Sequence, residues 1–204
     1  MPDQVWRDAG VSIMMALTST LIAIGLALAM ANLARHRRGI EAVGLLGIAA
    51  SPLVIGTGMF LLINPFSDPA RWAFAVTVAV NALAALPFAL RVLVPALRHV
   101  EQDFGPLADS LGLTGYARLR WLILPRLRRP LGFSAGLAAA LSMGDLGVIA
   151  LFADPERATL PLQILRLMGA YRMEAAASAG LLLLTISLLL FWLFDRGGRR
   201  NVDA

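Results

Sequence analysis

Asp145 is the only ionisable residue inside the long apolar stretches of this sequence. A carboxylate in such a setting is expensive to bury and marks a functional site by default. It could meet a cation in a transport path, share a proton with a second acid, or cap a helix break beside Gly144 and Gly147. The proton-sharing chemistry fails on two grounds. Ser142 stands where the Gly-x-Gly-Asp pattern of intramembrane aspartyl proteases has its first glycine, and no second acid lies in the apolar stretches to complete the pair. Other side-chain chemistries are missing outright. All 18 residues of the Lys+Arg set are arginine, and there is no cysteine. That removes the phosphate-binding lysine of nucleotide loops, Schiff-base and lysine nucleophiles, thiolate chemistry and cysteine metal sites. His36 and His99 sit beside arginines. No catalytic residue, metal site or cofactor is expected, and the chain does not read as an enzyme.

The elements that position Asp145 follow from where charge is absent. The chain has 204 residues, 58% hydrophobic and 15% charged, with a mean hydropathy of +0.73. Windows 10–33, 42–64, 72–90, 131–153 and 175–194 carry no charge except Asp145. A helix of roughly 20 apolar residues crosses a hydrocarbon core of about 30 Å, and Arg91 can snorkel from the end of the third window. So short a chain cannot bury five such windows in a soluble core. The fold class is therefore all-α, a polytopic transmembrane bundle of about five spanning helices, with 1–204 forming a single domain. The first window contains Ala-x-Ala patterns, but Asp3 and Asp8 precede it against a single Arg7, so it reads as a retained span, not a cleaved signal. Pro52 and Pro87 are expected to kink the second and third spans. Asn81 is a candidate for the substrate pathway with Asp145, although a hydrogen bond between helices is its plainer role.

Arginine placement predicts orientation, because basic residues of short loops stay cytoplasmic. Arg35, Arg37, Arg38, the arginines from Arg91 to Arg129, and Arg196, Arg199 and Arg200 fall on one side. Arg7, Arg71, Arg157, Arg166 and Arg172 fall on the other. The N-terminus is expected outside and the C-terminus inside. An odd span count hints at one helix missing upstream. The net charge of +5 is thus a topology signal. Nucleic acid is not an expected partner, since the arginines are neither interleaved with stacking aromatics nor gathered on one soluble face.

The cytoplasmic segment 96–125 is unusually structured for a loop. Leu97, Val100, Phe104, Leu107 and Leu111 make one apolar stripe on a helix, with Glu101, Asp103 and Asp109 off it. Gly112 and Gly115 then break the helix, and a second piece runs to Pro125. The acidic first helix fits a protein contact better than a lipid surface. Outside, Leu160, Gln163, Ile164, Leu167 and Tyr171 predict one face of a short interfacial helix.

These residues resemble the permease subunits of binding-protein-dependent ABC importers, whose cytoplasmic signature is E-A-A-x3-G-x9-I-x-L-P. Gly112 fits the glycine, Leu122 stands at the isoleucine, and Leu124 and Pro125 complete the motif. Its front departs: Pro106, Leu107 and Ala108 replace E-A-A, keeping only the last alanine. Longer strings around Ala108 to Gly112, Leu141 to Phe152 and Met168 to Arg172 are similar to the thiamine-importer branch. That permease has two fused halves, and the likeness is to its C-terminal half without its first helix. Iron(III) importer permeases share the fold, so another small solute is the alternative substrate. An inactive permease fragment or membrane scaffold is the alternative function. The resemblance implies a type I ABC importer permease (MetI-like) fold in a bacterial inner membrane. It implies cytoplasmic ATP-binding subunits docking on Ala108, Asp109, Gly112, Gly115, Leu122, Leu124 and Pro125, a periplasmic substrate-binding protein, and a second permease half. ATP hydrolysis would belong to the separate subunits.

Overall fold

The structure, a computed structural model, describes residues 3–34, 51–152 and 158–199. Every element among them is helical, as a backbone in hydrocarbon requires when it has no water to bond. The helices are α1 (Asp3–Ala34), α2 (Pro52–Ile63), α3 (Ala73–Ser110), α4 (Gly115–Arg118), α5 (Leu124–Arg126), α6 (Arg128–Met143), α7 (Gly147–Leu151), α8 (Leu160–Gly169) and α9 (Met173–Arg199). A 3₁₀ turn, Pro69–Trp72, leads into α3, and a π-helical turn, Leu119–Ile123, joins α4 to α5.

Four helical stretches among the described residues are long and apolar enough to cross a membrane: Gln4–Leu33, Pro69–Ser110, Arg128–Leu151 and Met173–Arg199. The second expected span differs. Its described part is the 12-residue α2, and Pro52 begins that helix in place of kinking one, with Ser51 extended before it (φ −65°, ψ 129°). Proline suits a first helical turn because its missing N–H has no partner there anyway. Residues 42–50 of that window, together with Arg35, His36, Arg37, Arg38, Arg157 and Arg200, lie outside the described residues.

The third span does not stop at Arg91. It continues as α3 for 38 residues, about 57 Å at 1.5 Å per residue, nearly twice the hydrocarbon thickness. The amphipathic stripe beginning at Leu97 is therefore the far end of a spanning helix and not a separate element. Pro87, Pro95 and Pro106 all lie within it; each removes its own N–H from the ladder and crowds the carbonyl four residues before it, yet the helix runs unbroken.

Helix α6 is the centre of the bundle, packed against α1, α3 and α9. Its contact with α9 is made backbone to backbone. A Cβ on Gly132 would lie 2.5 Å from the Phe194 carbonyl oxygen, and one on Gly136 would lie 2.9 Å from that of Phe191. Gly198 of α9 sits equally close to α6, its Cβ position 2.5 Å from the Arg128 carbonyl. Gly132 and Gly136 form a small-xxx-small pair, which lets helices in lipid approach closely enough for van der Waals packing to hold them.

The two ends of the bundle have separate cores. At one, Ala27 and Ala31 of α1 and Leu93 and Leu97 of α3 pack with Leu122, Ile123 and Leu127. At the other, Val5 and Ala9 of α1 pack with Leu160 and Leu167 of α8 and Ala176 and Ala179 of α9. Helix α8 starts inside this second core, where the Leu160 N–H donates to Ser12 Oγ at 2.8 Å. Leu160, Gln163 and Leu167 are buried as one face, but Tyr171 leaves it. The helix closes at Gly169, the Arg172 N–H turns back to the Leu167 carbonyl at 2.9 Å, and Tyr171 takes φ 58° with 88% of its surface exposed.

Candidate coupling arm and polar core

The end of α3 is a Schellman turn. Gly112 N–H donates to the Asp109 carbonyl at 3.1 Å, and Leu113 N–H reaches back to Ala108 at 2.9 Å. This geometry needs the first of the two donors to be left-handed, and Gly112 supplies that at φ 67°. Gly115 repeats the trick at φ 52° and opens α4. Together they fold the chain back, so that α4, the π-turn and α5 return toward the bundle.

The returning arm is buried by its middle. The wide π-turn puts adjacent residues Leu122 and Ile123 into the core shared with α1 and α3. Leu124 N–H closes that turn on the Leu119 carbonyl. Pro125 follows directly on that turn, as the second residue of α5. Two arginines fasten the arm to α3. The Arg118 guanidinium grips both oxygens of Glu101, with Nε to Oε1 at 3.2 Å, and also donates to Asp109. The Arg126 guanidinium lies 3.8 Å above the centre of the Phe104 ring. Hydrogen bonding to Glu101 above all, opposed by burial and reinforced by Asp109, holds the Arg118 guanidinium above arginine's ordinary range.

Glu101 is thus turned inward onto Arg118, whereas Asp109 reaches Arg118 from a side chain that stays 69% exposed, and Asp103 is exposed. The uncovered tip also presents large apolar groups: Leu107 is 56% exposed, Leu111 66% and Tyr116 70%. The stripe's near half, Leu97 and Val100, is buried in the bundle. Of the motif residues, Ala108 and Leu122 are buried, while Asp109, Gly112 and Gly115 lie at the turn. Sequence reasoning missed Arg118 and Arg126 as members of this site. The signal available was an arginine following a glycine turn after acids at 101 and 109, two helical turns apart.

Asp145 and Asn81 lie together, away from the arm. The window 131–153 breaks after Met143, and α7 restarts at Gly147. Asp145 occupies the break, accepting hydrogen bonds from the Gly147 and Val148 backbone and from the Asn81 side chain. Asn81 also donates to Ser142 Oγ at 3.1 Å, Ser142 to Ser19 Oγ at 3.3 Å, and Ser19 to the Met15 carbonyl at 2.7 Å. One polar chain therefore ties α1, α3 and α6 to the break. Asp145 Oδ2 is buried without a hydrogen-bond partner among the described residues. Among these residues no three His, Cys, Asp or Glu side chains gather as metal ligands.

Residues 11–201 match the family described as binding-protein-dependent transport system inner membrane component. Among curated proteins, the thiamine transport system permease protein ThiP of Brucella abortus (strain 2308) is 36% identical over 206 residues, 98% of this chain and 38% of the relative. The protein of the same name from Escherichia coli K12 is 32% identical over 209 residues, 98% of this chain and 39% of the relative. That of Haemophilus influenzae is 35% identical over 196 residues, 91% and 36% respectively. The chain spans less than two fifths of the length of these relatives. With the match running through every long helix and through the Gly112 turn, the chain belongs to the binding-protein-dependent transport system inner membrane component family, as a multi-pass protein of the inner membrane.

Proposed function

We propose that this chain is one permease half of an ATP-driven importer for thiamine or thiamine phosphates. The observation that carries the reading is α3 itself: one continuous helix runs through the bundle, leaves it, and ends in a glycine turn with uncovered leucines at its tip. Such a continuous element links a displacement at its tip to the bundle, as coupling between distant sites requires. A cytoplasmic pair of ATP-binding subunits docks on Leu107, Leu111 and Tyr116, and their closure on ATP turns the permease outward. A periplasmic binding protein then delivers substrate, and a second permease half completes the path. This half contributes no nucleotide chemistry, in keeping with its lack of lysine.

The end of the bundle near Gly112 also holds the C-terminal ends of α1 and α9 and most of the described arginines. That arrangement supports an outside N-terminus and a cytoplasmic C-terminus by the positive-inside bias. The thiamine assignment rests on the names of the relatives. Labelled thiamine uptake, in cells lacking their own importer and supplied with the partner half, ATPase and binding protein, is expected only when this chain is present. Uptake of iron(III) in place of thiamine would move the substrate, and uptake of neither would sink the importer reading.

Asp145 serves in this scheme as the pin of the helix break. Asp145→Ala leaves two backbone N–H groups unpaired and Asn81 with Ser142 as its remaining partner, a cost of about 1–3 kcal/mol per unpaired buried group, and is expected to lower the amount of folded chain in the membrane. Asp145→Asn still offers an acceptor oxygen and is expected to keep both assembly and uptake. Lost uptake in an assembled Asn variant would give the carboxylate to the cation path instead.

A further inference from the structure

We infer that Arg118 is the positioning residue that makes the arm after Gly112 and the end of α3 move as one body. Four observations converge on it. Glu101, Gly105 and Asp109 recur at four-residue spacing, which places them along one face of α3. The two acids take three of Arg118's donors, Glu101 in the two-pronged geometry that fixes a guanidinium in a plane. Between them Gly105 is buried, and a Cβ there would stand 3.3 Å from Arg118 Nη2 and 3.5 Å from Glu101 Oε2. The missing side chain is the seat of the guanidinium. Finally, the Glu101 pair is shielded: the side chains of Arg118 and Glu101 keep 13% and 16% of their surface, against 69% for Asp109, so solvent screens it far less than an exposed pair.

The placement of this clamp gives it a job that packing alone does not require. Gly112 and Gly115 form a left-handed joint, closed on α3 by the Gly112 and Leu113 N–H groups, and no neighbouring side chain braces it within 4 Å of either Cβ position. Beyond the joint, Leu122 and Ile123 anchor the arm's far part in the bundle. Between joint and anchor, Arg118 fastens α4 to α3 along Glu101 to Asp109. With the clamp shut, a force on Leu111 and Tyr116 reaches α3 and the Leu122 core together. With it open, the joint absorbs the movement, and the ATPase cycle runs without turning the permease. In sequence alone these acids read as facing a partner.

The inference rests on the coupling reading proposed above, and the test separates the two. The complete transporter, reconstituted in proteoliposomes with partner half, ATPase subunits and binding protein, is assayed for labelled thiamine accumulated per ATP hydrolysed. Three variants are compared with the unaltered chain: Arg118→Ala, Gly105→Leu and Gly112→Val. Gly105→Leu fills the guanidinium's seat and removes no charge. Arg118→Ala and Gly105→Leu are expected to keep the ATPase subunits bound and hydrolysing, and to lower thiamine per ATP about tenfold, the scale of coupling changes along such elements. Normal thiamine per ATP in both, with Gly112→Val defective, overturns the clamp and leaves the coupling reading standing. Failure of the unaltered chain to retain the ATPase subunits overturns both. Loss of both clamp variants from the membrane means that Arg118 holds the fold instead of the coupling geometry, and overturns the inference as well.

Discussion

Gly112→Val is expected to lower substrate uptake roughly thirtyfold while leaving the chain in the membrane. The residue has φ 67° as the left-handed member of the Schellman turn that ends α3. A side chain on Cβ is penalised there by about 1–2 kcal/mol, and a β-branched one suffers most. At 2 kcal/mol the native turn is disfavoured about thirtyfold. No heavy atom lies within 4 Å of the Cβ position, so the penalty is wholly conformational and not a clash. That gives the prediction a sharp control. Asn tolerates left-handed geometry far better than Val, so Gly112→Asn should retain most uptake although it is larger than glycine and polar. Equal damage from Asn and Val would mean that the surface of the turn matters, not its shape. Uptake measured beside membrane levels of the chain distinguishes these outcomes.

The second large effect concerns the bundle. Gly132→Leu is expected to destabilise the chain by about 3 kcal/mol, at the top of the usual range for overpacking. For about 200 residues that corresponds to a fall in Tm of roughly 6–12 °C. Ala at this site is already too large, because its Cβ would lie 2.5 Å from the Phe194 carbonyl oxygen and 3.0 Å from the Gly198 Cα. These are backbone atoms, so nothing rotates aside, and α6 and α9 must separate along their length. Gly136→Leu should behave similarly through Phe191, whose carbonyl would be 2.9 Å away. Gly180 of the same α9 has nothing within 4 Å of its Cβ position, and Gly180→Ala should be neutral. Thermal unfolding in detergent reads all three. An unchanged Tm for Gly132→Leu would dismiss the close α6–α9 crossing.

The two predictions differ in how visible their residues were beforehand. Gly112 was legible because a lone glycine at the end of an apolar stripe, followed by Gly115, is a local signal. Gly132 and Gly136 have the four-residue spacing of a helix contact, yet their spacing does not name α9 as the neighbour. Arg118 was hidden more deeply. Its partners Glu101 and Asp109 lie on another helix across a turn, and charge off an apolar stripe reads by default as solvated or partner-facing. The continuity of α3 was also hidden, because Arg91 and Arg98 look like the edge of a membrane span. A helix does not end where the bilayer ends, though, and nothing between Ala73 and Ser110 supplies a C-cap.

The sequence alone determined an all-helical membrane bundle, the position of its glycine turn, and the absence of lysine and cysteine side chains. Those features rest on composition and local spacing: a run of apolar residues must bury its own hydrogen bonds, and a glycine turn is set by three or four neighbours. Only the tertiary structure decided that Glu101 and Asp109 face Arg118, that Asp145 holds Asn81 at a helix break, and that α6 meets α9 at bare backbone. Each of these depends on which groups lie within a few ångströms across separate helices. Sequence periodicity orients a helix face, and packing alone selects what that face meets.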